Sequence, residues 1–170
     1  MAQQISPPVG ILAPDRRLVG GPRRVRLRTA QQAGQLLGIP LPGDLAESLR
    51  CHNGVSAWAT FLPEQSPLAL SGIVNPWQTC MDVAAENDGL PRRPWHDEPW
   101  WHPRWVPWAE RADSGVQVID QRPGPDEGRI GWAGHSGGGD FTDSRPDLAS
   151  LLHAVAHALH EGGEVRGLHP

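Results

Sequence analysis

Apolar side chains recur every three to four residues in four segments of the chain, which is the spacing of an amphipathic helix. The first helix is expected to begin after Thr29, whose hydroxyl can cap it, and to stop at Gly38. The second carries Pro42 in its first turn, where proline is tolerated, and places Leu45 and Leu49 on one face. The pattern therefore predicts that two short, consecutive helices open the folded part of the chain.

The two remaining helical segments are longer. One lies within residues 71–88, and Pro76 is interpreted as part of its first turn because proline cannot donate an interior helix hydrogen bond. The other is expected to start after Asp143 or Ser144, either of which can cap it. It carries leucine, valine and alanine side chains on one face, so we expect that face to pack on the core.

Strand signals are concentrated between the third and fourth helices. The residues predict an extended segment over 55–62 and short strands over 105–109, 116–120 and 129–133, separated by glycine, proline and aspartate turns. The glycine-rich residues 135–140 are interpreted as a loop before the last helix. Strands grouped together, with helices outside them, favour a single α+β domain over a doubly wound sheet.

Charged residues divide the chain into a basic start and an acidic body. Residues 1–28 carry six arginines and one aspartate, a net charge of +5, whereas the rest carries nine arginines and eighteen carboxylates, a net charge of −9. Proline and glycine interrupt regular structure in the basic part. We therefore expect a loosely ordered extension over 1–28, the folded domain over 29–161 and a flexible tail over 162–170.

The acidic body bears on the kind of partner. An excess of carboxylates disfavours nucleic-acid binding and suits a basic protein partner, with solubility alone as the alternative. The first residues lack the apolar run of a secretory signal, and no stretch approaches transmembrane length. Cys51 and Cys80 fall in apolar helical patterns and are expected to be buried free thiols. We therefore expect a cytoplasmic protein that does not bind membranes.

Five of the eight tryptophans lie in residues 91–108 together with five prolines, and the chain has no tyrosine. Trp105 and Trp108 are expected in the core because they flank Val106 in a strand-like pattern. Two interpretations stay open for the other tryptophans of this segment. They are either buried supports or exposed anchors of a binding surface, since indoles serve in both places. These residues are Trp95, Trp100 and Trp101.

Histidines raise the question of a metal site. His153 and His157 lie four residues apart and could grip a zinc ion from one helical face. They lie opposite the leucines, however, so a solvated polar stripe is the favoured interpretation. A metal-dependent hydrolase is kept as an alternative. It would use His96, His102, Asp120, His153, His157 and His160.

Several separated segments share one pattern. They are LGIPLPGDLAESLRCHNG, PLALSGIVNPWQ, WHPRWVPWAERADSGVQVIDQRPGPDEGRIG and DLASLLHAVAHAL. In this order they resemble the successive segments of the SUKH superfamily, the family of the fungal cell-wall synthesis regulators. The first segment resembles the "LP–short helix–NG" signature, and the third resembles the "W–P–W–P–hairpin–D–G–G" segment. Together the matches span residues 30–159, which is more specific than any single motif.

The resemblance implies an α+β domain with a central, largely antiparallel sheet flanked by helices. It also implies a binding protein that has no catalytic residues and needs no cofactor or metal. Bacterial members are similar to immunity proteins that bind and neutralise toxins, many of them nucleases, and an acidic body suits such basic partners. A regulatory scaffold for cell-wall or envelope synthesis is the alternative. We expect the partner to bind at Asp97, Glu98, Trp100, Trp101, Asp113, Asp126 and Glu127, because tryptophans anchor interfaces and carboxylates steer basic partners.

Overall fold

The structure, a computed structural model, describes residues 27–55, 62, 65–87, 98–111, 115–134 and 138–161. Within these residues the chain forms four helices and five strands. Their order is α1 (Ala30–Leu37), α2 (Gly43–Cys51), β1 (Gln65–Pro67), α3 (Leu70–Glu86), β2 (Trp105–Arg111), β3 (Val116–Asp120), β4 (Ile130–Ala133), β5 (Gly139–Arg145) and α4 (Leu148–Glu161). The predicted α+β fold is confirmed.

The five strands form one sheet in the order β1-β2-β3-β4-β5, and every neighbouring pair is antiparallel. The central strand β3 is buried along its whole length, so both faces of the sheet are covered there. In β2 the register shifts between Pro107 and Ala109, where a bulge inserts one extra residue. Strands over 105–109, 116–120 and 129–133 were predicted, and β2, β3 and β4 confirm them.

The boundaries of the first two helices follow local signals. The Thr29 side chain accepts a hydrogen bond from the backbone N–H of Gln32, as an N-cap does, and Gly38 ends α1 with a φ of 71°. Leu45 is buried on α2, and Leu49 packs against the core from the same helix. Gly54 has a φ of 64°. A side chain at that position would overlap the backbone at residues 68 and 69, so glycine is required there.

The start predicted for α3 at Pro76 is wrong. The helix begins at Leu70 and Pro76 lies inside it. The backbone N–H of Leu70 donates to Oδ1 of Asn53 at 3.0 Å, so a residue 17 positions away satisfies an otherwise unpaired donor of the first turn. Ile73, in that same first turn, is fully buried. The stabilisation from this packing and from the distant cap exceeds the cost of the helix hydrogen bond that Pro76 removes.

The interpretation of residues 135–140 as a loop is wrong at residues 139 and 140, while residues 135–137 lie outside the described residues. The expected helix cap at Asp143 or Ser144 is also wrong. The described part of this stretch enters β5 at Gly139, and both cap candidates lie within that strand. A side chain at Gly139 would overlap the Trp105 ring, so glycine permits the close approach. The polar sequence of β5 reflects its position at the edge of the sheet, where Thr142 and its neighbours are exposed. β1 was not predicted either.

The last helix is capped from two places. Oδ1 of Asp147 accepts a hydrogen bond from the backbone N–H of Ser150. A hydrogen bond from the Ser150 side chain, together with this backbone one, lowers the pKa of Asp147. Oδ2 of Asp44, on α2, accepts from the backbone N–H groups of Leu148 and Ala149 at 3.0 and 3.2 Å. These carboxylates meet the positive end of the helix dipole and tie α2 to α4.

The predictions for the tryptophans are confirmed, whereas those for the cysteines are only partly correct. Trp105 and Trp108 are buried in the core, as predicted. Cys51 is exposed, which contradicts the expectation of a buried thiol, because it ends α2 on the solvent side. Cys80 is partly buried on α3, and burial raises its pKa to about 11. The predicted extended segment over 55–62 lies almost entirely outside the described residues.

The length of the helices and the exposure of their histidines bear on the predictions about membranes and metals. Among the described helices, none is both long and apolar enough to cross a bilayer. His153, His157 and His160 are exposed on α4, which confirms the solvated polar stripe.

Candidate functional site

The candidate site lies where the Trp/Pro segment, residues 98–104, meets the β3–β4 turn, residues 121–129. Three backbone carbonyls hold the segment in place. The carbonyl of Pro99 accepts from the N–H of Gly139 on β5 at 2.9 Å, and that of Arg104 accepts from the N–H of Gln121 at 2.8 Å. The carbonyl of Pro103 accepts from the indole Nε1 of Trp77 on α3 at 3.0 Å. The Trp/Pro segment is therefore fixed to the sheet and to a helix.

Four charged side chains, which we name the ion-pair cluster, fasten this segment to the turn. They are Glu98, Asp120, Arg122 and Arg129. Arg122 donates two hydrogen bonds to the Glu98 carboxylate, at 2.8 and 3.0 Å, and a third from Nη2 to Asp120 Oδ2 at 2.6 Å. Arg129 donates to Glu98 Oε1 at 2.7 Å and to Asp120 Oδ2 at 3.2 Å. Each guanidinium thus bridges both carboxylates.

Asp120 lies at the end of β3 and is only 1% exposed, and its contacts with the two arginines keep it charged. Burial raises the pKa of Asp120, but hydrogen bonds and charge from Arg122 and hydrogen bonds from Arg129 outweigh burial and place it below its ordinary value. The pKa of Glu98 is lowered in the same way, against the opposing effect of burial. The same contacts raise the pKa of Arg122. The cluster is therefore two carboxylates neutralised by two guanidinium groups.

Aromatic rings cover this cluster. The guanidinium carbon of Arg129 lies 4.1 Å from the centre of the Phe141 ring, and that of Arg122 lies 5.6 Å from the centre of the Trp105 ring. Trp101 packs edge-on against Trp105 with ring centres 6.0 Å apart. These rings cover part of each arginine, which stays 28% (Arg122) or 20% (Arg129) exposed, and cation–π contacts of this kind stabilise a partly desolvated cation. The cluster and the rings form one rigid junction.

The seven residues that were proposed from the sequence for partner binding lie in different environments in the structure. Asp97 and Asp113 lie outside the described residues. Glu98 is held in the ion-pair cluster, and Trp101 is 7% exposed and part of the core. Trp100 is partly buried and packs against the core. Asp126 and Glu127 are exposed in the β3–β4 turn.

The exposed and buried parts of this set are connected. Oδ2 of Asp126 lies 3.7 Å from Nη1 of Arg129, while the Asp126 side chain remains 68% exposed. Arg129 in turn binds Glu98 and Asp120. Asp126 is thus connected through Arg129 to the partly buried ion-pair cluster, and Glu127 follows it in the same turn. Such an arrangement can present negative charge to a partner with little loss of conformational entropy on binding.

Sequence reasoning missed Arg122, Arg129 and Phe141. The alternation of Asp120 and Arg122 at the end of a strand, with Arg129 after the turn, is a signal that could have indicated a cross-hairpin ion pair. The fourth member, Glu98, lies 24 residues before Arg122, so no local pattern connects them. The role of Phe141 could not be inferred while its strand was interpreted as a loop.

The contacts of Asp120 bear on the hydrolase alternative. Both of its carboxylate oxygens accept hydrogen bonds from arginine side chains, so a metal or a substrate proton would have to displace a guanidinium. Nδ1 of His102 accepts a hydrogen bond from the backbone N–H of Arg104 at 3.1 Å, and burial followed by the charge of Arg122 lowers its pKa. His96 lies outside the described residues. No group of three or more potential metal ligands occurs in the part of the chain that the structure describes.

Comparison with known proteins identifies the family. A sequence model of the SMI1/KNR4 family (SUKH-1) matches residues 27–152, which include the ion-pair cluster and every strand described above. No curated protein sequence matches the chain significantly. Members of the SUKH superfamily are in general non-catalytic immunity or regulatory proteins that bind other proteins. The match covers well over half of the chain, in agreement with the resemblance of its sequence segments, and the chain belongs to the SMI1/KNR4 family (SUKH-1).

Proposed function

We propose that this protein is a non-catalytic binding domain that neutralises a basic bacterial toxin in the cytoplasm, as an immunity protein does. The observation that carries the proposal is the pair of exposed carboxylates, Asp126 and Glu127, on a turn held by the partly buried ion-pair cluster. Carboxylates at the rim of an interface steer a basic partner and set its association rate. A rigid turn offers them at fixed positions.

The proposed interface extends from this turn to the neighbouring aromatic residue. Trp100 lies in the Trp/Pro segment, packs against the core and is partly exposed, and tryptophans of this kind serve as anchors of interfaces. Glu98 and Trp101 support the surface from beneath, through the cluster and the core. Asp97 and Asp113, outside the described residues, complete the acidic set in the proposal.

The net negative charge of the described residues as a whole also favours a basic partner. The described residues contain thirteen carboxylates and seven arginines, a net charge of −6 with histidine neutral. A toxin that cleaves nucleic acid needs a basic surface, and an acidic protein attracts such a surface over a distance of about one Debye length. The family alternative, a regulator of envelope synthesis, needs no basic toxin and no adjacent toxin gene.

Co-expression tests the proposal. The chain would be expressed together with the product of the adjacent gene, with growth and copurification as the two measurements. Relief of toxicity and a copurified complex are expected. If the adjacent gene product is not toxic, or if growth is not restored, the proposed immunity function is wrong. A complex with an endogenous envelope-synthesis protein would favour the regulatory alternative instead.

A further inference from the structure

A groove of about 580 Å³ lies between α1 and the residues that lead into α2. It is lined by Ala30 and Gly34 on α1, by the connecting residues 38–41, and by Ala46 on α2. Ligand sites in proteins commonly have volumes of about 300–1,000 Å³, so this groove is large enough for several side chains. It lies on other elements than the β3–β4 turn, and the inference drawn from it is independent of the proposed function.

The chemistry of the lining restricts what can occupy the groove. None of the described residues that line it is charged. Ile39, Pro40 and Leu41 contribute apolar surface. Gln31 and Gln35, which are exposed, lie one helical turn apart on α1 and offer amide donors and acceptors. The lining fits an uncharged, apolar peptide segment, because apolar surface gains from burial whereas a charge would lose its hydration there.

The chain itself contains such a segment shortly before α1. Residues 9–14, with the sequence VGILAP, carry no charge and include Val9, Ile11 and Leu12. The residues at the other end of the chain, 162–170, include Glu164 and Arg166. The segment before α1 therefore matches the uncharged groove, and the last residues do not.

The spacing along the chain allows this segment to reach the groove. The described residues begin at Leu27, and Ala30 and Gln31 line the groove three and four positions later. Residues 15–26 separate the segment from Leu27 and span up to roughly 40 Å when extended. A segment tethered in this way meets its site at an effective concentration on the order of millimolar. Weak apolar contacts are therefore enough for it to occupy the groove.

Net charge favours the same arrangement. Residues 1–26 contain five arginines and one aspartate, a net charge of +4, whereas the described residues carry a net charge of −6. Opposite net charges attract over about one Debye length, roughly 8 Å at physiological ionic strength. All five arginines follow residues 9–14 in the sequence. The attraction therefore brings the segment toward the domain without placing a charge in the groove.

We propose that residues 9–14 bind in this groove within the same molecule. Ile11 and Leu12 contact the apolar surface of the groove, and the side-chain amides of Gln31 and Gln35 bind backbone groups of the segment. The basic residues before α1 are thereby held against the domain, and the groove is closed to other apolar ligands.

Methyl NMR of the full chain tests this assignment. The measurement is the set of NOEs between the methyl groups of Ile11 and those that line the groove. The variant Ile11→Ser with Leu12→Ser removes apolar contacts from the segment and leaves the groove unchanged. Its matched control is Leu18→Ser with Val19→Ser, which changes two apolar residues of the same extension outside the segment.

We expect these NOEs in the wild type and in the control. In Ile11→Ser with Leu12→Ser they should be lost, and the methyl signal of Ala46 should shift. A synthetic peptide of residues 6–15 added to that variant should restore the wild-type signal, with a dissociation constant on the order of millimolar because it makes few contacts. Absence of the NOEs from the wild type, or an equal response of the Ala46 signal to both pairs of substitutions, would overturn the proposal.

Mixing two differently labelled samples of the protein tests whether the contact lies within one molecule. We expect no NOE between differently labelled molecules. An NOE that appears only between them would show that a second copy supplies the segment, and this result would also overturn the proposal.

Discussion

Asp120 joins the end of β3 to both arginines of the ion-pair cluster, and it is the least exposed charged group there. Two partly exposed guanidinium groups compensate its charge, so removing that charge leaves them with Glu98 alone. Breaking a buried ion pair on one side is far more costly than losing an exposed one, because an uncompensated charge remains desolvated. The cluster therefore stabilises the fold at the position where the binding surface is proposed.

Replacing Asp120 by asparagine keeps the shape and removes the charge. We expect the free energy of unfolding at pH 7 to fall by about 2–3 kcal/mol, below the full value for a buried pair because the arginines retain some solvent. The folded-state pKa of Asp120 is lowered, so its contribution is present above its unfolded pKa and is lost as pH falls through the folded value. Urea unfolding should therefore show the two proteins converging below about pH 4.

Asp126→Asn is the matched control for this substitution. Asp126 contacts Arg129 at 3.7 Å but is 68% exposed, so its loss should change stability by less than about 0.5 kcal/mol. An equal effect of both substitutions, or a difference between wild type and Asp120→Asn that stays constant down to pH 3, would show that the cluster does not have the assigned role.

At the scale of elements, α3 and α4 begin where distant residues cap them. Asn53 accepts from the N–H of Leu70, and Asp44 accepts from the first N–H groups of α4, 104 residues later in the chain. Each of these contacts satisfies a donor that the helix itself leaves unpaired. The helix starts, and not only the strand pairings, therefore depend on tertiary structure.

Replacing Asn53 by alanine tests this dependence. We expect the free energy of unfolding to fall by about 1 kcal/mol, as for loss of an N-cap. Asn75→Ala is the control, because Asn75 is exposed within α3 and alanine favours helix, so stability should stay equal or rise slightly. Comparable losses from both substitutions would mean that Asn53 does not cap α3.

These elements also explain how far the sequence could predict the structure. Periodicity located all four helices, and alternation located β2, β3 and β4, because each pattern is set by one buried face. β5 was not predicted because an edge strand exposes its polar side chains. Its first residue, Gly139, is required by close contact with the Trp105 ring, which the sequence does not show. The start of α3 was predicted wrongly because the residue that caps it, Asn53, lies 17 positions before it in the sequence. For the site, Asp126 and Glu127 were proposed from the sequence, and their role in binding stays a prediction. Arg122 and Arg129 were not proposed, since ion pairs between distant segments leave no periodic signal.

On the scale of the whole molecule, the Trp/Pro segment and the β3–β4 turn form one unit. The tryptophan-rich stretch places Trp101, Trp105 and Trp108 in the core, and only Trp100 of its described tryptophans is left partly exposed for a partner. The acidic turn lies directly beside this stretch through the ion-pair cluster. In a family whose members generally act by binding other proteins, this unit is the surface that we assign to the partner.

In the proposed function, the turn carboxylates bind the partner, and the acidic charge of the molecule in general does not suffice. The most direct test measures association of the adjacent gene product with two variants of equal net charge. Asp126→Asn with Glu127→Gln should slow association about tenfold at low salt, with a smaller effect at high salt, since rim charges act mainly on the association rate. Glu47→Gln with Glu86→Gln, on exposed positions of α2 and α3, should change it less than about twofold. Equal slowing by both pairs, or none by the first, would show that the turn carboxylates are not the binding surface.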